Sequence, residues 1–146
     1  MSNAQKIFTK SLCKEVESAI EKAEIRTSGE IVVHVENSCT EDPYKHAIKV
    51  FETLGLHNTE LRNGVLIYIS LENHKLVILG DSGIHQFIHP DGWDALVQNL
   101  GKEFAAGRYQ QGLCEVIEKI AEKLALHFPR FSHDKNELSN AISFAK

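Results

Sequence analysis

Arg62-Asn-Gly-Val-Leu-Ile-Tyr-Ile-Ser-Leu-Glu-Asn-His-Lys-Leu-Val-Ile-Leu-Gly-Asp-Ser-Gly-Ile-His85 reads as two strands joined by a polar turn. In an antiparallel hairpin the start of one strand lies beside the end of the other. Arg62 and Asn63 lead into the first strand, and Asp81 and Ser82 leave the second. A guanidinium, an amide, a carboxylate and a hydroxyl are therefore expected to meet at one edge of a sheet.

Upstream, Glu30-Ile-Val-Val-His-Val-Glu36 is short and rich in β-branched residues, as suits a strand covered on both faces. After a polar loop, Pro43 fits the first turn of a helix whose apolar stripe is Tyr44, Ala47, Ile48, Phe51 and Leu54, with Gly55 at its end. Strand, helix, strand at these lengths implies a right-handed crossover, with the strands at 30–36 and 64–70 as parallel neighbours. Parallel strands begin at the same edge, which brings Ser28, Gly29 and Glu30 toward Arg62, Asn63, Asp81 and Ser82.

Helical spacing of Phe8, Leu12, Val16, Ala19, Ile20 and Ala23 predicts one amphipathic helix over residues 5–25. Asp91-Gly-Trp-Asp94 has the form of a capping sequence for a third helix carrying Trp93, Leu96, Val97, Leu100 and Phe104. Leu113, Val116, Ile117, Ile120 and Leu124 mark a fourth. With the last two helices on one sheet face and the first two on the other, the predicted fold is a three-layer α/β/α sandwich around a small mixed sheet. Residues 1–131 form one domain, and 132–146 a polar tail that is loosely packed or a short docking helix.

The 146 residues, 42% hydrophobic and 25% charged, suffice for one domain with a real core. A formal charge of -4 argues against a surface built for nucleic-acid phosphates. No segment has the length and apolarity of a membrane span or secretory leader, so a soluble, cytoplasmic, monomeric protein is expected. Cys13, Cys39 and Cys114 are odd in number and widely spaced, which points to reduced structural thiols, with Cys39 in a polar loop.

Gly80-Asp-Ser-Gly83 matches the nucleophile motif of trypsin-like serine proteases, but the chain is too short and too helical for that two-barrel fold. His85 and His89 have zinc-ligand spacing without the Glu of metalloproteases, and Pro90 interrupts a shared helix. His34 reads as a hydrogen-bonded imidazole within a covered strand. The acids differ in kind. Glu30, Asp81, Asp91 and Asp94 are hard oxygen donors at turns and element ends, a set suited to calcium or magnesium.

Thr27-Ser-Gly-Glu-Ile-Val-Val33, Asn63-Gly-Val-Leu66, Gly80-x-x-Gly83 and Phe104-x-x-Gly107-x-Tyr109-x-x-Gly112 follow one another in an order that resembles the TPM domain family. That family is named for thylakoid-lumen photosystem II repair proteins and related membrane-associated proteins, and this chain resembles a soluble bacterial-type member. The resemblance implies an α/β/α sandwich, a divalent metal ion held by loops at a sheet edge, and a weak acid-phosphatase activity reported for some plant members. By position it implicates Asn63, Gly80, Asp81 and Gly83, with Ser82 between them. Where many members carry Glu two residues after the second glycine, this chain has His85. The membrane anchor usual in the family is not expected within these 146 residues.

Two functions follow as expectations. In the first, a metal held by Asp81 and neighbouring oxygens assists hydrolysis of a phosphate monoester, Arg62 neutralises the phosphate, and His85 protonates the leaving oxygen. In the second, a non-catalytic module recognises a protein during assembly or repair through loops ordered by calcium or another ion, with Asp81 and the Asp91 loop as structural ligands.

Overall fold

The computed structural model describes residues 3–130 and 138–145. A short helix, α1 (Asn3–Ile7), precedes the long helix α2 (Lys10–Arg26). The single helix expected over 5–25 is broken because the Thr9 hydroxyl accepts the Leu12 N–H at 3.1 Å and caps α2 afresh. Strand β1 (Glu30–Glu36), helix α3 (Pro43–Thr53), strand β2 (Gly64–Ser70) and strand β3 (Lys75–Gly80) then follow. A single turn, α4 (Ser82–His85), leads to helices α5 (Asp94–Ala105) and α6 (Tyr109–His127), and strand β4 (Ser143–Phe144) closes the order.

The sheet runs β3-β2-β1-β4. β1 and β2 are parallel, with Glu30 opposite Gly64, and β2 and β3 form the antiparallel hairpin. β1 and β2 are buried along their whole lengths. The crossover and the hairpin thus stand as the sequence predicts.

The layers are filled unevenly. Val32, Leu66, Tyr68, Val77 and Leu79 face α3 with Ala47, Val50 and Phe51. The opposite face, with Ile31, Val33, Ile67 and Ile78, packs against α2, α5 and α6 in a larger core. The first long helix therefore joins the last two instead of sharing a face with α3. α2 and α6 lie against each other because each carries a long apolar stripe, Val16 and Ile20 on one, Val116, Ile120 and Leu124 on the other, and a two-helix layer buries both.

Two further differences concern ends. Asp91 does not cap α5; a 3-10 turn over Pro90–Trp93 precedes it, and the His89 ring nitrogen accepts the Asp91 N–H at 3.2 Å. In the tail, residues 132–137 and 146 lie outside the described residues, whereas Ile142 is buried and Ser143 and Phe144 pair in parallel with His34 and Val35. Two paired residues are too few to leave a periodic signal.

Candidate functional site

The two ends of β1 carry different chemistry. At its amino end the predicted meeting of hairpin and crossover takes place, anchored by an ion pair. Arg62 Nε and Nη2 donate to the two carboxylate oxygens of Asp81 at 2.7 and 2.9 Å. Asp81 also accepts the Ser82 N–H at 2.7 Å, and Asn63 Nδ2 donates to Ser28 Oγ at 3.3 Å. Arg62 holds a left-handed backbone, φ 52°. Its carbonyl accepts the Gly83 N–H at 2.9 Å. A Cβ on Gly83 would lie 2.2 Å from the Leu61 carbonyl oxygen, so only glycine permits this approach.

Arg62, Asp81, Ser82, His85, Asp91 and Asp94 all line one cleft of about 620 Å³ beside β3. Gly80 lines it too, and its carbonyl accepts the His85 Nε2 at 2.9 Å. Glu30 is not among the lining residues. Its side chain is buried next to that of Glu24, whose carboxyl is pushed up to about 9, first by burial and further by Glu30, against the opposing pull of the Ile31 N–H. The acids Glu30, Asp81, Asp91 and Asp94 therefore do not converge on one point, and both Asp81 oxygens already accept hydrogen bonds.

At the carboxyl end of β1 a second cluster is denser. Glu36 Oε1 meets His34 Nε2 at 3.1 Å and His46 Nε2 at 3.0 Å, while Glu36 Oε2 accepts the Tyr68 hydroxyl at 2.6 Å. β-strand alternation puts His34 and Glu36 on the α3 face together. Pro43 at the start of α3, with the Asp42 carboxylate capping the Lys45 N–H at 3.0 Å, brings His46 back over the strand end. Cys39 lies in the loop between, its N–H held by Asn73 Oδ1 at 2.6 Å. Among the described residues, Glu36, Cys39 and His46 are the group of three whose ligand atoms all lie within 4.8 Å of one another.

Outer partners orient both imidazoles. His46 Nδ1 bonds Glu41 Oε2 at 2.9 Å, and Glu41 in turn accepts Lys49 Nζ at 2.9 Å. His34 Nδ1 bonds Ser143 Oγ at 2.9 Å, so the tail strand takes part. Each ring thereby presents Nε2 to the same carboxylate oxygen. Burial acts to raise the Glu36 pKa, but the donors Tyr68, His46 and His34 outweigh it and hold the carboxyl below its ordinary range. Hydrogen bonds to Glu36 and Glu41 raise that of His46, and burial followed by Glu36 raises the Tyr68 phenol. Imidazole, thiol and carboxylate at one point are the donor set of a borderline ion such as zinc, not of calcium or magnesium.

His34 is a hydrogen-bonded imidazole, as its place in a covered strand predicts, but the cluster around it is not legible in the sequence. Glu36-x-x-Cys39 followed by His46 is not a spacing that marks a metal site. The available signals were the same-face pair His34 and Glu36 and the proline that starts α3.

Together these features define an α/β sandwich with chemistry at both ends of its central strand. The chain belongs to the TPM domain family, whose match spans residues 1–123. The solution structure of BA42 protein from the psychrophilic bacterium Bizionia argentinensis is 41% identical, with 94% of each chain covered and a TM-score of 0.87. The N-terminal domain of a protein from P. gingivalis, at 17% identity, covers 90% of this chain and 86% of its own with a TM-score of 0.72, a likeness of fold alone. Among curated proteins the sequence has no match.

Proposed function

We propose that this TPM domain is a non-catalytic metal-binding module whose ion is held by Glu36, Cys39 and His46 and orders the loop from Asn37 to Asp42. The observation that carries this reading is the approach of a carboxylate, a thiol and an imidazole to within 4.8 Å of one another. The Glu41–His46 bond supports it, since metal-binding histidines commonly give their second nitrogen to a carboxylate. The ion is of the zinc class, because a thiolate and an imidazole are poor ligands for calcium and magnesium. Binding stabilises the fold by mass action, so melting temperature should rise with zinc and return to its starting value with chelator. In His46→Gln the rise should shrink sharply. An equal rise in wild type and His46→Gln would refute this placement.

A second reading concerns the cleft. Arg62 remains half-exposed there beside Asp81 and His85, which favours weak hydrolysis of a phosphate monoester with the guanidinium neutralising the phosphate. Asp81, Asp91 and Asp94 line this cleft with Ser82, and they would have to draw together to share a calcium or magnesium ion, whereas Asn63 is buried outside the lining. Turnover of a chromogenic phosphate ester should fall in Arg62→Met and Asp81→Asn if the cleft is responsible; unchanged turnover in both would dismiss it.

A further inference from the structure

Among the described residues β3 ends the sheet and pairs with β2 alone. The Asp81 N–H donates to the Gly64 carbonyl at 3.0 Å, and the register carries the same phase to Leu79, Val77 and Lys75, whose N–H and C=O groups face β2. Leu76, Ile78 and Gly80 therefore direct their backbone groups away from the sheet. At Gly80 the outward carbonyl is taken by His85. The outward groups of Leu76 and Ile78 have no partner among the described residues.

Soluble proteins ordinarily protect such an edge with charge, proline, a bulge or a covering segment. Leu76-Val-Ile-Leu79 offers only aliphatic side chains. The cleft of about 620 Å³ runs along this edge, with Tyr44 and Ile48 of α3 on one side and Trp93 and Val97 on the other. Tyr44 and Ile48 are 52% and 40% exposed, which is high for apolar groups facing a groove. Glu52, Asp91 and Asp94 make the lining acidic, because the charge of Asp81 is already matched by Arg62.

We propose that this groove receives an extended peptide segment of another protein, which adds a fifth strand to β3 and sets a lysine or arginine against Asp91 and Asp94. Two donor and acceptor pairs, at Leu76 and Ile78, repeat roughly 6.8 Å apart, the spacing of alternate residues in a facing strand. Successive side chains of an added strand point to opposite faces, so they meet the α3 wall and the α5 wall in turn. The backbone supplies affinity, and the apolar walls with their acidic end supply selectivity.

The test uses a synthetic peptide, acetyl-Lys-Val-Ile-Val-Thr-Lys-amide, with hydrogen exchange of the full chain followed by NMR. In the free protein the Leu76 and Ile78 amides should exchange quickly while those of Val77 and Leu79 are protected. With peptide, Leu76 and Ile78 should slow by roughly tenfold or more, and Asp94→Lys and Ile48→Lys should each weaken binding by about tenfold at low salt. Copies of the peptide N-methylated at its first or its second valine should bind poorly. Absence of binding at about 1 mM overturns the proposal. So does binding that leaves both amides fast. Protection that grows with protein concentration in the absence of peptide also overturns it, since a second copy then fills the edge.

Discussion

Two carboxylates at opposite ends of β1 show how partners decide what an acid is for. Asp81 accepts two bonds from one guanidinium and one from a backbone N–H, which fixes the loop before β2 to the end of β3. Glu36 gathers two imidazoles and a phenol. A third acid, Glu24, is protonated in the fold well above the ordinary carboxylate range. A raised pKa means that the folded state keeps a proton the unfolded chain releases, so stability falls as pH rises from about 4.5 toward about 9. Denaturant unfolding of Glu24→Gln should show a gain of about 1 kcal/mol or more at pH ~8 that vanishes near pH ~5. A gain independent of pH would contradict this. The meeting of Arg62 with Asp81 was legible because connectivity alone dictates it. The meeting of Glu36 with His46 was not, since it depends on how the loop from Asn37 to Asp42 turns and on the phase of α3, neither of which periodicity specifies.

Among elements, α3 has the most exacting placement, because one face packs on the sheet while its first turn presents His46. Asp42 begins this helix by capping the Lys45 N–H. Asp42→Ala should cost about 1 kcal/mol in thermal or denaturant unfolding, and zinc affinity measured by calorimetry should fall with it. Stability lost with affinity unchanged would separate the cap from the site. The turn into α4 is equally constrained. Gly83→Ala should destabilise by about 3 kcal/mol, because the obstructing atoms are backbone and cannot rotate aside, whereas a loss under ~0.5 kcal/mol would mean that the loop yields. The elements themselves were largely readable from hydrophobic period, as in β1, α3 and the hairpin. The break at Thr9 was missed because a cap inside a continuous apolar stripe does not alter the period, and β4 because it is only two residues long.

At the scale of the whole molecule, the sheet separates two regions of different chemistry. The hairpin edge carries the cleft and the open side of β3, and the carboxyl end of β1 carries the histidines. Ligand sites of open α/β sheets favour the carboxyl ends of parallel strands, and the Glu36 cluster occupies that position. β4 returns to this end of the sheet and ties Ser143 to His34, so Ser143 joins the hydrogen-bond network around Glu36. Among the described residues no helix is long and apolar enough to cross a membrane. The arrangement of layers was deducible in class but not in detail, because α2 is placed by its fit to α6, a contact between segments about a hundred residues apart that no local pattern encodes.

If Glu36, Cys39 and His46 hold a metal ion of the zinc class, cobalt(II) reports on it directly through its ligands. Titration of the chain with cobalt(II) should produce a thiolate-to-metal charge-transfer band that saturates at one ion per chain, disappears in Cys39→Ser and is displaced by zinc. A chain that binds no cobalt, or a spectrum identical in wild type and Cys39→Ser, would contradict the account.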